Sequence, residues 1–239
     1  LSRPHSFVPK YPSAEYKQKK ATIPESVDWR QKGVCNPIRD QGMCASGWAF
    51  ACTAAMESVW AIQHSDLLQL SQQNILDCAY LCEGCEGGTA DGGAYMVIQD
   101  QNGKFMLESD YPYKEFTSGN CKFDEKKGVT KLVNLTLAMW DEEKMAVLCA
   151  EVGPLSCEFD ASLASFTYYS SGIYDDPECS AWGICHSLTI VGYGTESSED
   201  YWIIRNSFGT SWGMKGYGLV KRNGGNCGIQ MGPYAYNVA

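Results

Sequence analysis

Basic charge is scarce in this chain: 19 Lys and Arg stand against 28 Asp and Glu, for a formal net charge of −9. One block of basic residues, Lys17, Lys19 and Lys20, interrupts that balance. A nucleic-acid partner needs a basic face to meet phosphates, so none is expected. Long apolar runs are missing as well, and nothing approaches the roughly 18 residues that cross a bilayer. No membrane span is expected. Histidine occurs three times in 239 residues, at His5, His64 and His186, so imidazole chemistry has few places to reside. No internal repeat marks a solenoid or an array. The chain begins at Leu1 rather than Met, which reads as a processed or truncated product whose signal peptide has already gone.

Cysteine is abundant: twelve residues, the usage of an oxidising compartment, hence secretion or an endolysosomal or vacuolar lumen. Asn134-Leu135-Thr136 forms a glycosylation sequon at Asn134. Cys78, Cys82 and Cys85 lie close together, yet no His or fourth Cys joins them and no second paired set follows. Zinc sites ordinarily show one, so neither metal nor cofactor is expected. The 44% hydrophobic and 20% charged content is that of a globular protein. The length suits one two-lobed domain or two small ones.

Along the chain, residues 1–20 carry Pro4, Pro9 and Pro12 with no amphipathic period, the composition of an extended or disordered arm. A turn is expected at Lys32-Gly33. Trp48, Cys52, Ala55, Met56 and Val59 recur at helical spacing and predict a helix over 46–62 that is buried on more than one side. Further helices are expected after Ser71 as N-cap, over 93–103, and over 141–150 capped by Asp141. Strands are expected over 133–138, 153–159, 187–193, 201–206 and 216–222. From about Val129 the pattern changes toward strands, with the one helix over 141–150 among them, an arrangement of the α+β class.

The stretch from Gln41 to Ser58, QGMCASGWAFACTAAMES, resembles the papain-like cysteine peptidases of the cathepsin L type. These carry Gln-Gly, a disulfide Cys, and then Gly-Ser-Cys-Trp-Ala-Phe at a helix start. Gln41, Gly42, Cys44, Ser46, Trp48, Ala49 and Phe50 fit that pattern, Ala45 replaces a Gly, and Gly47 stands where the nucleophilic Cys belongs. The resemblance continues through Gly183-Ile184-Cys185-His186-Ser187 and Tyr201-Trp202-Ile203-Ile204-Arg205-Asn206-Ser207. It implies a papain-like fold of two lobes with a cleft between them. The helical lobe would span about 30–128 and an antiparallel β-barrel-like lobe about 129–239, together a peptidase domain over 21–239. Residues 1–20 would be the tail of a pro-segment.

The resemblance implies that His186 is the general acid and base, that Asn206 orients it, and that Gln41 donates to a developing oxyanion. A thiol at a helix N-terminus beside an imidazolium ionises and attacks a carbonyl. Gly47 has nothing to attack with. Ser46 lies one helical step away, about 100 degrees round the axis, and points elsewhere. With the nucleophile gone, His186 is expected to titrate at or below the ordinary value. Phe208 replaces a Trp that shields the His and Asn pair in the family.

Gly87 and Gly88 would line the cleft and let a substrate backbone approach. Thr89, Ala90, Glu158, Ile184, Cys185 and Trp212 would form its walls, with Glu158 favouring basic or polar groups. The resemblance pairs Cys44 with Cys85, Cys78 with Cys121, and Cys179 with Cys227. Of the remaining six, Cys35 and Cys82 are expected as an extra pair, and Cys52, Cys149 and Cys157 as buried packing residues. The resulting expectation is an inactive, monomeric homologue whose cleft holds a peptide or protein ligand, such as a pro-segment or a cysteine-peptidase inhibitor. Two alternatives stand beside it: an active endopeptidase captured as a Cys to Gly variant, and a structural or interaction protein that works through its surface.

Overall fold

Residues Gly47–His64 form a single 18-residue helix, α1, of which 14 residues are buried. A computed structural model describes residues 22–239; the expected N-terminal arm and His5 lie outside the described residues. Alanines 49, 51, 54 and 55 keep α1 narrow, so elements pack closely on opposite sides of it. On one side are α2 (Gln72–Cys78) and α3 (Ala90–Asp100), which share a core with Trp48, Met56, Ile75, Met96 and Phe105. On the other lies a sheet whose core is built on Leu155, Phe159, Ile190, Trp202 and Ile204. Ser71 caps α2 by accepting from the Asn74 N–H, and Thr89 caps α3, starting it three residues earlier than periodicity predicts.

The strands are β1 (Val27–Asp28), β2 (Leu132–Leu137), β3 (Leu155–Phe159), β4 (Ile173–Tyr174), β5 (His186–Glu196), β6 (Glu199–Arg205), β7 (Tyr217–Lys221) and β8 (Tyr234–Val238). Helices α4 (Glu142–Glu151) and α5 (Ala164–Thr167) cover the sheet, with Asp141 capping α4 as expected. Strand order is β2-β8-β3-β5-β6-β7-β4, with β1 added on β5. The sheet is open, so the barrel-like expectation is corrected: β2 and β4 are its edges and do not meet. Every pair is antiparallel except β4 with β7. Gly192 lets β1 lie against β5, because a Cβ there would collide with the Val27 carbonyl.

Three disulfides staple the fold, Cys44–Cys85, Cys78–Cys121 and Cys179–Cys227. Such bridges contribute typically about 2–4 kcal/mol each. The expected bridge between Cys35 and Cys82 is absent, and both are free thiols. The cause is α1 itself. Cys35 sits against Ser58, whereas Cys82 lies beside Trp48, ten residues back along the helix and so about 15 Å away. Cys52, Cys149 and Cys157 are fully buried, and burial pushes the first two thiols up to about 12.

A buried ion pair anchors the middle of α1 to the segments around Arg39 and Leu70. Glu57 accepts from the Arg39 guanidinium and from the Leu70 N–H at 2.8 Å, and Arg39 also donates to the Leu70 carbonyl and to Gln72. Removing one partner leaves a charge buried and unpaired, a loss of about 3–5 kcal/mol. Glu57→Ala is therefore expected to destabilise the protein by that amount in urea unfolding. A change under 1 kcal/mol would show that the pair is not holding the helix.

Candidate active site

Gly47 is the first residue of α1, where the aligned peptide dipoles present their positive end. Ser46 precedes it and turns away from the cleft: its hydroxyl lies 2.6 Å from that of Tyr113, which in turn donates to the Gln41 carbonyl at 2.8 Å. His186 reaches the same place from the first residue of β5. Its Nε2 is 2.8 Å from Asn206 Oδ1, an oxygen that only accepts and that also takes the Ser207 N–H at 2.8 Å. The ring proton is therefore on Nε2, and Nδ1 turns its lone pair toward position 47.

The imidazole occupies the ground a side chain at position 47 would need. A Cβ built on Gly47 would stand 2.5 Å from His186 Nδ1 and would overlap Cε1 as well. Phe208 stacks on the other face, with ring centroids 4.7 Å apart and planes 28° from parallel. Burial drives the ring toward its neutral form, against the Asn206 bond that favours the cation, and the His186 pKa falls to about 4. The direction is the expected one. The larger cause is the packing of the ring, which adds to the loss of a thiolate partner.

Gln41 joins the group with an orientation the sequence does not reveal. Its Oε1 accepts from Ser207 Oγ at 2.6 Å and its Nε2 donates to the Cys44 carbonyl at 2.9 Å. The oxygen is 3.1 Å from the Cβ position at 47, so the acceptor end of the amide lies nearest that position. Ser207 and Tyr113 are supports that motif matching passes over. Ser207 adjoins Asn206 in sequence, a signal that could have found it; nothing local points to Tyr113.

The expected walls divide. A Cβ on Gly88 would meet Trp48 at 2.8 Å and Cys82 at 2.9 Å, so the core beneath it requires a glycine there, while the residue itself stays exposed. Gly87, at φ +136, has open space around it, and its backbone conformation is one that side chains disfavour. Thr89 and Ala90 begin α3, and the Ala90 N–H donates to Glu158 Oε1 at 3.4 Å. Glu158 Oε2 accepts from Ser187 at 2.8 Å. Burial pushes the Glu158 carboxyl up to about 8, so at neutral or acidic pH it is a neutral acid. In that form it offers hydrogen bonds to polar groups rather than a charge to basic ones. Ile184 packs toward Gly228, and Cys185 beside it is an exposed free thiol.

Trp212 is buried rather than cleft-facing. It packs edge-on to Phe208 at 6.2 Å and donates to the Phe166 carbonyl at 2.9 Å. His64 stacks on Trp60 at the far end of α1, remote from this site. Asn134 is exposed on edge strand β2. Among the described residues no cluster of His, Cys, Asp and Glu is arranged to hold a metal ion, and no helix is long and apolar enough to cross a membrane.

A sequence profile described as "Papain family cysteine protease" matches residues 23–237. Cathepsin L1 of Drosophila melanogaster is 44% identical over 213 residues, covering 87% of this chain and 57% of that protein. Procathepsin L of Felis catus is 40% identical over 218 residues, covering 87% and 64%. The chain thus spans about three-fifths of the length of these relatives. Among solved structures, digestive procathepsin L 3 of Tenebrio molitor larval midgut superposes with a TM-score of 0.84 at 34% identity, over 98% of this chain and 73% of that one.

The packing of His186 yields a direct test. An NMR pH titration of the ring is expected to show a midpoint near 4, with Nε2 protonated at neutral pH. Because the folded pKa lies below the ordinary 6.5, this residue's contribution to stability is complete above about pH 6.5 and is lost as pH falls toward 4. A midpoint above 6.5 would mean that an anion faces the ring.

Proposed function

This chain belongs to the papain family of cysteine proteases, with cathepsin L proteins among its relatives, and on that premise we propose that it binds peptides in its cleft without cleaving them. One observation carries the reading: Gly47 stands at the helix N-terminus that His186 Nδ1 faces. The family's chemistry needs a thiolate there to attack the carbonyl and form an acyl intermediate. Glycine offers no electron pair, and a neutral imidazole with nothing to deprotonate is idle as a base. In a serine-type triad, loss of the nucleophile costs about 10⁶ in kcat, and a comparable deficit is proposed here.

The natural occupant is an extended peptide or protein segment, such as a pro-segment or a cysteine-peptidase inhibitor. Residues 1–20 read as the tail of a pro-segment and 21–239 as the peptidase domain, with a helical lobe over about 30–128 and a β-rich lobe over about 129–239. Three disulfides support a secreted or endolysosomal setting. The protein is proposed to act as a monomer.

A second reading has its own observation. The His186 and Asn206 bond is intact, as it would be in an active endopeptidase captured as a Cys to Gly variant. Gly47→Cys separates the two. On the first reading the variant stays essentially inactive on peptide substrates, because the ring under Phe208 blocks the Cβ, while the unaltered chain binds a reversible peptide ligand measurable by calorimetry. Strong hydrolysis by Gly47→Cys would favour the second reading. Absence of peptide binding by the unaltered chain would overturn the first.

A further inference from the structure

A small polar cavity lies behind Asn206, where α1 meets β5 and β6. Arg39, Arg205, Asn206, Thr189 and Ser207 line it, over an apolar floor of α1 side chains, and it has room for a single ion or water molecule. Two features of the lining are not settled by the protein itself. The Asn206 Nδ2 group is buried without an acceptor. Arg205 is 7% exposed, yet among the described residues its partners are the carbonyls of Asn36 and Pro37 and the Tyr217 hydroxyl, with no carboxylate. Arg39 has Glu57. Glu108 is within Coulombic range of Arg39 as well, so of the two guanidinium groups it is Arg205 that lies buried with no carboxylate bonded to it.

A buried cation without a counter-charge is costly, and the low dielectric that makes it so also makes a nearby anion strongly attractive. A water molecule in the cavity would give Nδ2 an acceptor and leave the excess positive charge. A small monovalent anion would do both. We propose that this cavity is a binding site for such an anion, with chloride as the probe, held by Asn206 Nδ2 and the guanidinium groups of Arg205 and Arg39. Its consequence for the cleft is positional: an ion on Nδ2 fixes the carboxamide whose Oδ1 receives the His186 ring proton. The site does not depend on whether the cleft cleaves or only binds.

Bromide, which scatters anomalously, is the direct probe. Crystals soaked in sodium bromide are expected to show an anomalous peak in this cavity within contact of Asn206 Nδ2 and Arg205. In solution, melting in sodium chloride against sodium gluconate at equal ionic strength is expected to show a Tm higher in chloride by a few degrees, since a ligand that binds only the folded state stabilises it by mass action. Arg205→Met is expected to abolish that difference. If this variant does not fold, the diffraction and melting tests on the unaltered chain decide alone. A cavity without anomalous signal, or melting curves that coincide in the two salts, would overturn the proposal.

Discussion

The central constraint is that α1 is buried on nearly every side, so it accepts only what two lobes can pack against. Fourteen of its 18 residues are inaccessible, and along its alanine-rich length the Ala51 carbonyl lies 3.4 Å from Thr189 Oγ1 of β5. This close approach fixes where β5 begins, and hence where His186 stands relative to the first residue of the helix. It also fixes β6 through the β5–β6 ladder, with Thr189 opposite Arg205, and so sets Asn206 one residue beyond the strand. The cleft residues are thus positioned by packing about one turn into α1, roughly 6 Å along its axis from Gly47.

That hierarchy explains what was legible in the sequence. The buried helix, the Ser71 and Asp141 caps, and the neighbourhood of Gln41, His186 and Asn206 are written in short-range patterns: helical periodicity, an oxygen side chain ahead of a helix, and contiguous motifs. Strand β8 was not legible. Tyr234–Val238 lacks a clean alternation, and its role arises from pairing with β2, about 100 residues back, and with β3, about 80 residues back. The two-residue strands β1 and β4 carry no pattern at all; they are strands because β5 and β7 have open edges for them. Trp212 holds a motif position that implies a place in the cleft, whereas its surroundings are interior. Motif position fixes the backbone path, and burial depends on neighbours that the motif does not include.

Burial governs the site's charge state as well as its shape. Glu158 and His186 lie on partnered residues of one ladder, Glu158 opposite Ser187 and Phe159 opposite His186. Both are driven toward neutrality, the carboxyl upward and the imidazole downward. At the pH of an acidic lumen these two cleft groups therefore contribute hydrogen bonds and surface rather than ionic attraction. For the peptide ligand proposed above, neither of these two groups then supplies charge, and Ile184 and the exposed Cys185 lie close at hand.

The neutral ring and the missing side chain are consistent with one another. A thiolate at position 47 would draw a proton onto His186 and hold the imidazolium by charge. With glycine there, an imidazolium would face the positive end of α1, which opposes it. The neutral ring instead sinks toward the vacant Cβ position beneath Phe208, a smaller cover than an indole, and its one proton is already given to Asn206. Once the ring has taken that ground, a returning side chain has to displace it from a stacked and hydrogen-bonded position. On the reading of an inactive homologue, the absence of a nucleophile is reinforced by the residues around it.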